Sequence, residues 1–196
     1  MHHDLVLAGH GVRLEPLTEA HAPALAALVD DALWAGMTSP RPDGVEGWRA
    51  WARAQRAAEA KMVFAVVTDG GPDDGQVRGS TSYYELVPAQ RRTDVGSTFY
   101  GRAWWGGVTN PACKLLLLAH AFDTWGFQRV ALRADARNTR SCAAIERLGA
   151  VREGVLRKHR VAADGSSGDT VYFSVTDDEW PTVRANLTAR LASPGA

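Results

Sequence analysis

Residues 101–122, GRAWWGGVTNPACKLLLLAHAF, constrain the fold more than any other stretch of this 196-residue chain. Two tryptophans, two glycines and a Thr-Asn-Pro step lead directly into an unbroken apolar run. Asn110 suits a helix N-cap and Pro111 a first helical position, so a helix is expected over residues 111–125. A helix this apolar has to be covered on most sides, which calls for a sheet beneath it. The run at 115–119 is far shorter than the roughly 20 residues needed to cross a bilayer. The helix start leaves amides unpaired and adds about half a positive charge. Gly106, Gly107 and Thr109 keep bulky side chains away from it, so an anionic group such as a phosphate could approach. An ordinary helix start would use the same residues. Neither GxxxxGK[ST] nor GxGxxG is present, which leaves a nucleotide-binding P-loop unsupported.

The rest of the chain supplies the sheet. Residues 11–16, 62–68, 76–86, 92–100, 129–134, 151–161 and 170–175 read as strands, the second to fourth as an antiparallel meander. Helices are expected from Thr18 to about residue 31, over 43–60 with Trp48 and Trp51 in register, over 139–148 ending at Gly149, and over 178–192. The order is α/β, with about seven strands in one mixed, mostly antiparallel sheet flanked by helices. Residues 1–196 read as a single domain, without repeats or a low-complexity linker.

Composition narrows the class. Hydrophobic residues make up 45% and charged residues 22%, ample for a core. Two cysteines, Cys113 and Cys142, fall in helical segments without CxxC spacing, as expected of reduced thiols in a cytoplasmic protein. The six histidines are scattered, so no metal site is expected. The N-terminus lacks the pattern of a signal peptide. Formal net charge is zero, yet between Arg129 and Arg160 nine basic residues face three acids. That suits either a solvated face or a basic lobe for a polyanion beside an acidic lobe for a cation.

The strand DVGSTFYG, the loop WWGGVTN, the helix PACKLLLLAHAF, the strand RVALRADARN, the helix TRSCAAIERLGA and the strand VREGVLRKH follow one another in this order. Together they resemble the GNAT acyltransferase superfamily, and within it the RimJ/RimL-like branch. VRLEPLTEAH near the start and DTVYFSVTDDEW near the end are similar to that branch too, so the resemblance spans roughly the whole chain. The loop departs from the superfamily's [QR]-x-x-G-x-[GA]: Trp104 or Trp105 stands at the leading position, and Val108, Thr109 and Asn110 replace part of the glycine pattern. Backbone amides do the work in such a loop, so side-chain changes cost little while the backbone conformation survives.

The resemblance implies a GNAT-like domain whose sheet opens at the junction of strands 95–100 and 129–134, with acetyl-CoA as cosubstrate. Its pyrophosphate would rest on the amides of Trp105, Gly106, Gly107, Val108, Thr109 and Asn110. The pantetheine arm would lie along the strand at Phe99 and Tyr100, as an added strand would. Asn138 would contact the arm and Ser141 would lie near the sulfur, although either residue could simply cap the helix that follows. Many relatives place a tyrosine acid four residues beyond Ser141. Ile145 stands there in this chain, leaving Ser141 or a water to serve the leaving thiolate. An amine must lose a proton to react, and Glu85 is the first candidate to receive it, through water. A solvated strand-end glutamate is the plain alternative, and Tyr83, Tyr84, Glu153 and His159 rank behind it. Neither cysteine has a paired histidine in the sequence, which favours direct transfer over an acyl-enzyme.

These readings lead to an N-acetyltransferase acting on a primary amine, with a protein N-terminal α-amine first and a small-molecule amine second. A non-catalytic acyl-CoA-binding module is the other class. The acceptor pocket is expected from the first two helices and the loops 88–92 and 162–168. No nucleic-acid or membrane partner is expected, and the last strands are compatible with a homodimer.

Overall fold

The computed structural model describes residues 1–162 and 165–193. Of the expected acceptor loop 162–168, residues 163 and 164 therefore lie outside the described residues. Eight strands form one sheet: β1 (Leu7–Gly9), β2 (Val12–Pro16), β3 (Met62–Thr68), β4 (Val77–Val87), β5 (Arg92–Tyr100), β6 (Arg129–Asp135), β7 (Val151–Val161) and β8 (Ser167–Thr176). Their spatial order is β1-β2-β3-β4-β5-β6-β8-β7. Among the described residues only β5 and β6 run parallel; every other pair is antiparallel.

The sheet has one strand more than the sequence suggested. β1 is three residues long and turns into β2 through His10 and Gly11, both left-handed at φ 54° and 74°. A two-residue turn of that hand matches the twist of paired strands, but three residues show too little alternation to be read alone.

Helices cover the sheet unequally. On one face lie α4 (Thr109–Ala119), α5 (Thr139–Leu148) and α6 (Trp180–Ala192), whose Leu117, Leu118, Ile145, Val183 and Leu187 share a core with Phe64, Tyr83, Val95 and Phe173. On the other lie α1 (Ala22–Leu28), the single turn α2 (Asp31–Trp34) and α3 (Gly44–Ala57), packed over β2 to β5. Trp34, Trp48, Trp51 and Phe99 form an aromatic cluster there, with Trp34 centred 5.2 Å from both Trp48 and Phe99. Trp48 and Trp51 thus share a helix face as their spacing required.

Two helix boundaries differ from the sequence reading. The helix expected from Thr18 breaks at Val29, because Asp30 accepts from the Leu33 amide to start α2 and pairs with Arg102 on a distant loop. α4 begins earlier than expected: Val108 is its N-cap, and its carbonyl accepts from the Ala112 amide at 2.9 Å. Asn110 and Pro111 lie inside the first turn, where proline loses no needed donor. The early start follows from Gly106, whose φ of 77° lets the chain turn ahead of Thr109. At its other end α4 runs into a wider π turn at His120–Thr124. Among the described residues, no helix is long and apolar enough to cross a membrane.

Candidate active site

β5 and β6 pair only over Arg92–Asp94 against Arg129–Ala131. Beyond Asp94 the two strands separate, so the β6-facing edge of residues 95–100 is left without a ladder partner. Unpaired strand edges bind extended chains readily. β5 is bulged against β4 at this level, with Ser97 left-handed at φ 48°. Opposite the bulge, Thr81 Oγ1 and Thr98 Oγ1 lie 2.8 Å apart.

The side chains of Phe99 and Tyr100 are consumed by packing, Phe99 in the tryptophan cluster and Tyr100 in the core under α4. Only their backbone remains for a ligand, and the Tyr100 carbonyl already accepts from Trp105 Nε1 at 2.7 Å. That bond ties the end of β5 to the loop before α4.

The loop itself is open where the anion reading needs space. A Cβ at Gly106 or Gly107 would meet no atom within 4 Å. Val108 and Asn110 are half-buried, whereas Thr109 is buried and accepts from Arg78 Nη1 at 3.0 Å. Arg78 is buried too; its Nε donates to Thr68 and its guanidinium stacks on Trp104 at 4.2 Å. Arg140, in the first turn of α5, stacks on the exposed ring of Trp105 at 3.8 Å. The two tryptophans therefore each carry an arginine, one beneath the loop and one reaching over from α5.

Asn138 performs the capping role: its Oδ1 accepts from the Ser141 amide at 3.0 Å. Its Nδ2 faces Gly36, where a Cβ would come within 3.2 Å. The carbonyl of Gly36 accepts from Arg160, so the segment after α2 lies against both Asn138 and β7. The Ser141 side chain is half-buried, and its hydroxyl has no hydrogen-bond partner among the described residues. Ile145 is buried in the core.

On the opposite face, the sheet beyond α1 and α3 carries polar groups. Arg133 Nε donates to Asp94 Oδ2 at 2.7 Å, and its guanidinium lies 4.8 Å from the Tyr84 ring and 5.2 Å from that of Tyr172. Glu85, exposed and left-handed at φ 50°, reaches Arg133 Nη2 at 3.7 Å. Asp94 is the last β5 residue paired to β6, so Glu85 stands one ion pair from the point where the strands part. Tyr84 lies over Gly96, where any side chain would strike its ring at 2.9 Å. Burial pushes the Tyr84 phenol up to about 12 and raises the Asp94 carboxyl despite its arginine.

The lesser candidates are engaged elsewhere. Tyr83 donates to the Leu117 carbonyl inside the core. Glu153 is held by Arg129 and Ser174 and lies below the usual carboxylate range, chiefly through its bond to Arg129. His159 Nδ1 sits 3.1 Å from Thr170 Oγ1, with its ring against Tyr172. Cys113 is buried, and burial pushes its thiol up to about 11. The Cys142 thiol is raised also by burial. Both are poor nucleophiles in these settings. Of the basic lobe, Arg129, Arg133, Arg137 and Arg160 pair with acids and Arg140 with Trp105. Among the described residues no cluster of His, Cys, Asp and Glu could hold a metal ion.

Sequence reasoning missed Asp94, Arg133 and Tyr172, because alternation marks which residues share a face but not which strands adjoin. It missed Arg140 on Trp105 for the same reason.

Known proteins are similar to this chain in sequence or in fold. YdaF of Bacillus subtilis, a candidate ribosomal N-acetyltransferase, is 31% identical over 107 residues, covering 55% of this chain and 57% of that protein. The crystal structure of a candidate acetyltransferase from T. thermophilus superposes with a TM-score of 0.88 at 36% identity, covering 97% of this chain and 99% of that one. Mycobacterium smegmatis RimJ, solved in complex with CoA-disulfide, has the same fold at 22% identity, with a TM-score of 0.75 over 94% of this chain and 91% of its own. The acetyltransferase (GNAT) domain description matches residues 12–151, and the chain belongs to that family.

Proposed function

We propose that this protein is an acetyl-CoA-dependent N-acetyltransferase that moves the acetyl group directly to a primary amine, foremost a protein N-terminal α-amine. The observation that carries this reading is the parting of β5 and β6 beyond Asp94, beside the open start of α4. A gap with a free strand edge on one side and helix amides at its end fits a thioester on an extended arm with a diphosphate behind it.

In this reading the amides of residues 105–110 hold the pyrophosphate, and the backbone at Phe99 and Tyr100 carries the arm. Asn138 serves the arm with its amide nitrogen, which lies against Gly36, since its oxygen is occupied by the α5 cap. Ser141 serves the sulfur with a hydroxyl that no protein group engages among the described residues. Glu85 accepts the amine proton through water. Asp94 is a second candidate base, because its buried carboxyl holds a proton more readily than a free one. The α-amine preference is supported by the ribosomal role ascribed to YdaF and by a base that reaches the amine only through water, which suits an amine of low pKa. A small-molecule amine is the alternative acceptor.

The proposed setting is the cytoplasm, consistent with free Cys113 and Cys142. A homodimer through the sheet edge β7, where Val155 and Leu156 are exposed, belongs to the same reading. The deciding experiment measures coenzyme A release from acetyl-CoA against a panel of peptides and small amines. Release with free-N-terminal peptides is expected. Coenzyme A binding without turnover on any amine would instead make the protein an acyl-CoA-binding module.

A further inference from the structure

Lys114 projects from α4 onto β5 and is 7% exposed. Its Nζ reaches Thr98 Oγ1 at 3.4 Å, the long end of a hydrogen bond. No carboxylate pairs with it among the described residues. The titratable groups around it are neutral or cationic. Cys113 holds its thiol proton up to about 11, and burial keeps the Tyr100 phenol well above its ordinary range. Arg78, which like Lys114 acts on Cys113, rests among the described residues on the hydroxyls of Thr68 and Thr109 and the ring of Trp104. Both cations are buried, and neither is paired with an acid among the described residues.

Isolated charges are costly to bury, and groups perturbed in this way cluster at functional sites. Thr98 lies on the part of β5 that β6 has left, so Lys114 sits beside the gap. Ile145 of α5 is buried in the core and has no proton to give. Burial lowers the Lys114 ammonium to about 8, close to an ordinary thiol at ~8.5. A donor matched to its acceptor in this way transfers protons efficiently.

Resting on the cofactor reading above, we propose that Lys114 is the cation that meets the departing sulfur of the acyl donor and returns its proton, while Ser141 donates a hydrogen bond to that sulfur and keeps its own proton. The amine nitrogen forms a bond to the thioester carbonyl carbon, the carbon–sulfur bond breaks, and its electron pair goes to sulfur. Lys114 gives one proton to that sulfur and regains one from water. The ammonium nitrogen loses two protons through the base, one of which replaces the proton that Lys114 takes from water, so one acetyl-CoA and one ammonium yield one amide, one free thiol and one proton.

The test uses Lys114→Met and Lys114→Arg in the full chain. Calorimetry with coenzyme A and with desulfo-coenzyme A measures the site, and thiolate absorbance follows ionisation of the bound thiol. Lys114→Met should bind desulfo-coenzyme A as the wild type does, while its bound thiol ionises at higher pH. Its kcat with acetyl-CoA should fall by ~10²-fold, the scale of a lost general acid. An acetyl thioester of an arylthiol, whose thiolate leaves unaided, should recover most of that loss. Lys114→Arg should keep the thiol ionising as in the wild type while still losing kcat. Thiol ionisation identical in wild type and Lys114→Met, or a defect independent of the leaving thiol, would overturn the proposal alone. Failure of the wild type to bind coenzyme A would overturn the cofactor reading and the proposal with it. Should the Met variant not fold, lysine NMR of the wild type decides: the Lys114 amine should titrate higher with coenzyme A than with desulfo-coenzyme A, and equal titration overturns the proposal.

Discussion

Arg133 Nε lies 2.7 Å from Asp94 Oδ2 at the last rung joining β5 to β6, with Tyr84 and Tyr172 against the guanidinium. Asp94 is 5% exposed, so this ion pair sits where the sheet opens and largely out of water. Breaking such a pair from one side strands the other charge. Arg133→Met is expected to destabilise by about 3–5 kcal/mol at neutral pH. The Asp94 pKa is already raised in the folded state, and losing its arginine raises it further. Stability from a raised group is present at low pH and lost as pH rises through the folded value. The defect should therefore shrink toward acid pH, and Asp94→Asn added to Arg133→Met should recover most of it. Thermal melts of wild type, the single variant and the double variant across acid to neutral pH check this; a pH-independent defect would contradict it.

Gly107→Glu should abolish coenzyme A binding and leave the melting temperature within a few degrees of the wild type. The position is open, with no atom within 4 Å of an added Cβ and an ordinary φ, so no packing is disturbed. The carboxylate would compete for the amides and dipole at the start of α4. Calorimetry with coenzyme A decides, and unchanged affinity would remove the phosphate assignment.

Asn138 and Ser141 separate capping from function. Asn138→Ala removes the acceptor of the Ser141 amide and should cost about 1 kcal/mol of stability. It should also weaken coenzyme A binding on the order of 1–3 kcal/mol if Nδ2 engages the arm. Ser141→Ala keeps the amide and hence the cap, so its melting temperature should not move. A fall in kcat with KM unchanged would then report the hydroxyl alone. Intact kinetics in both variants would leave them as structural residues.

Glu85→Gln should lower kcat/KM most below pH 8, with the defect closing as pH rises. An α-amine has a pKa of about 7.7–8.0 against about 10.4 for lysine, so the amine needs a base less as it deprotonates unaided. Paired pH–rate profiles on a free-N-terminal peptide measure this. A defect constant across pH would take Glu85 out of the proton path and turn attention to Asp94→Asn. A preference for N-blocked peptides carrying an internal lysine would overturn the acceptor.

Much of the frame was legible because it is written locally. The short apolar run of residues 62–68 and the segment 92–100, each bounded by turn residues or polar connections, marked strands at the bounds the structure has, and Gly149, left-handed at φ 98°, ends α5 where its glycine said it would. The glycines and the apolar run of 101–122 marked an open helix start against a covered helix. The capping reading of Asn138 needed only the three residues after it. Such features depend on neighbours in the chain, so the sequence carries them in full.

Tertiary structure decided whatever depends on residues distant in the chain. Asp30 breaks the first helix because Leu33 and Arg102 both claim its carboxylate. Asp94 meets Arg133 across thirty-nine positions, and Lys114 meets Thr98 across sixteen. Lysine and arginine mostly lie in water, so nothing in PACKLLLL announces that this lysine is buried without an acid. Burial is a property of the fold. It lowers the pKa of the Lys114 ammonium, and the end of the β5–β6 pairing at Asp94 opens the gap at the level of Thr98.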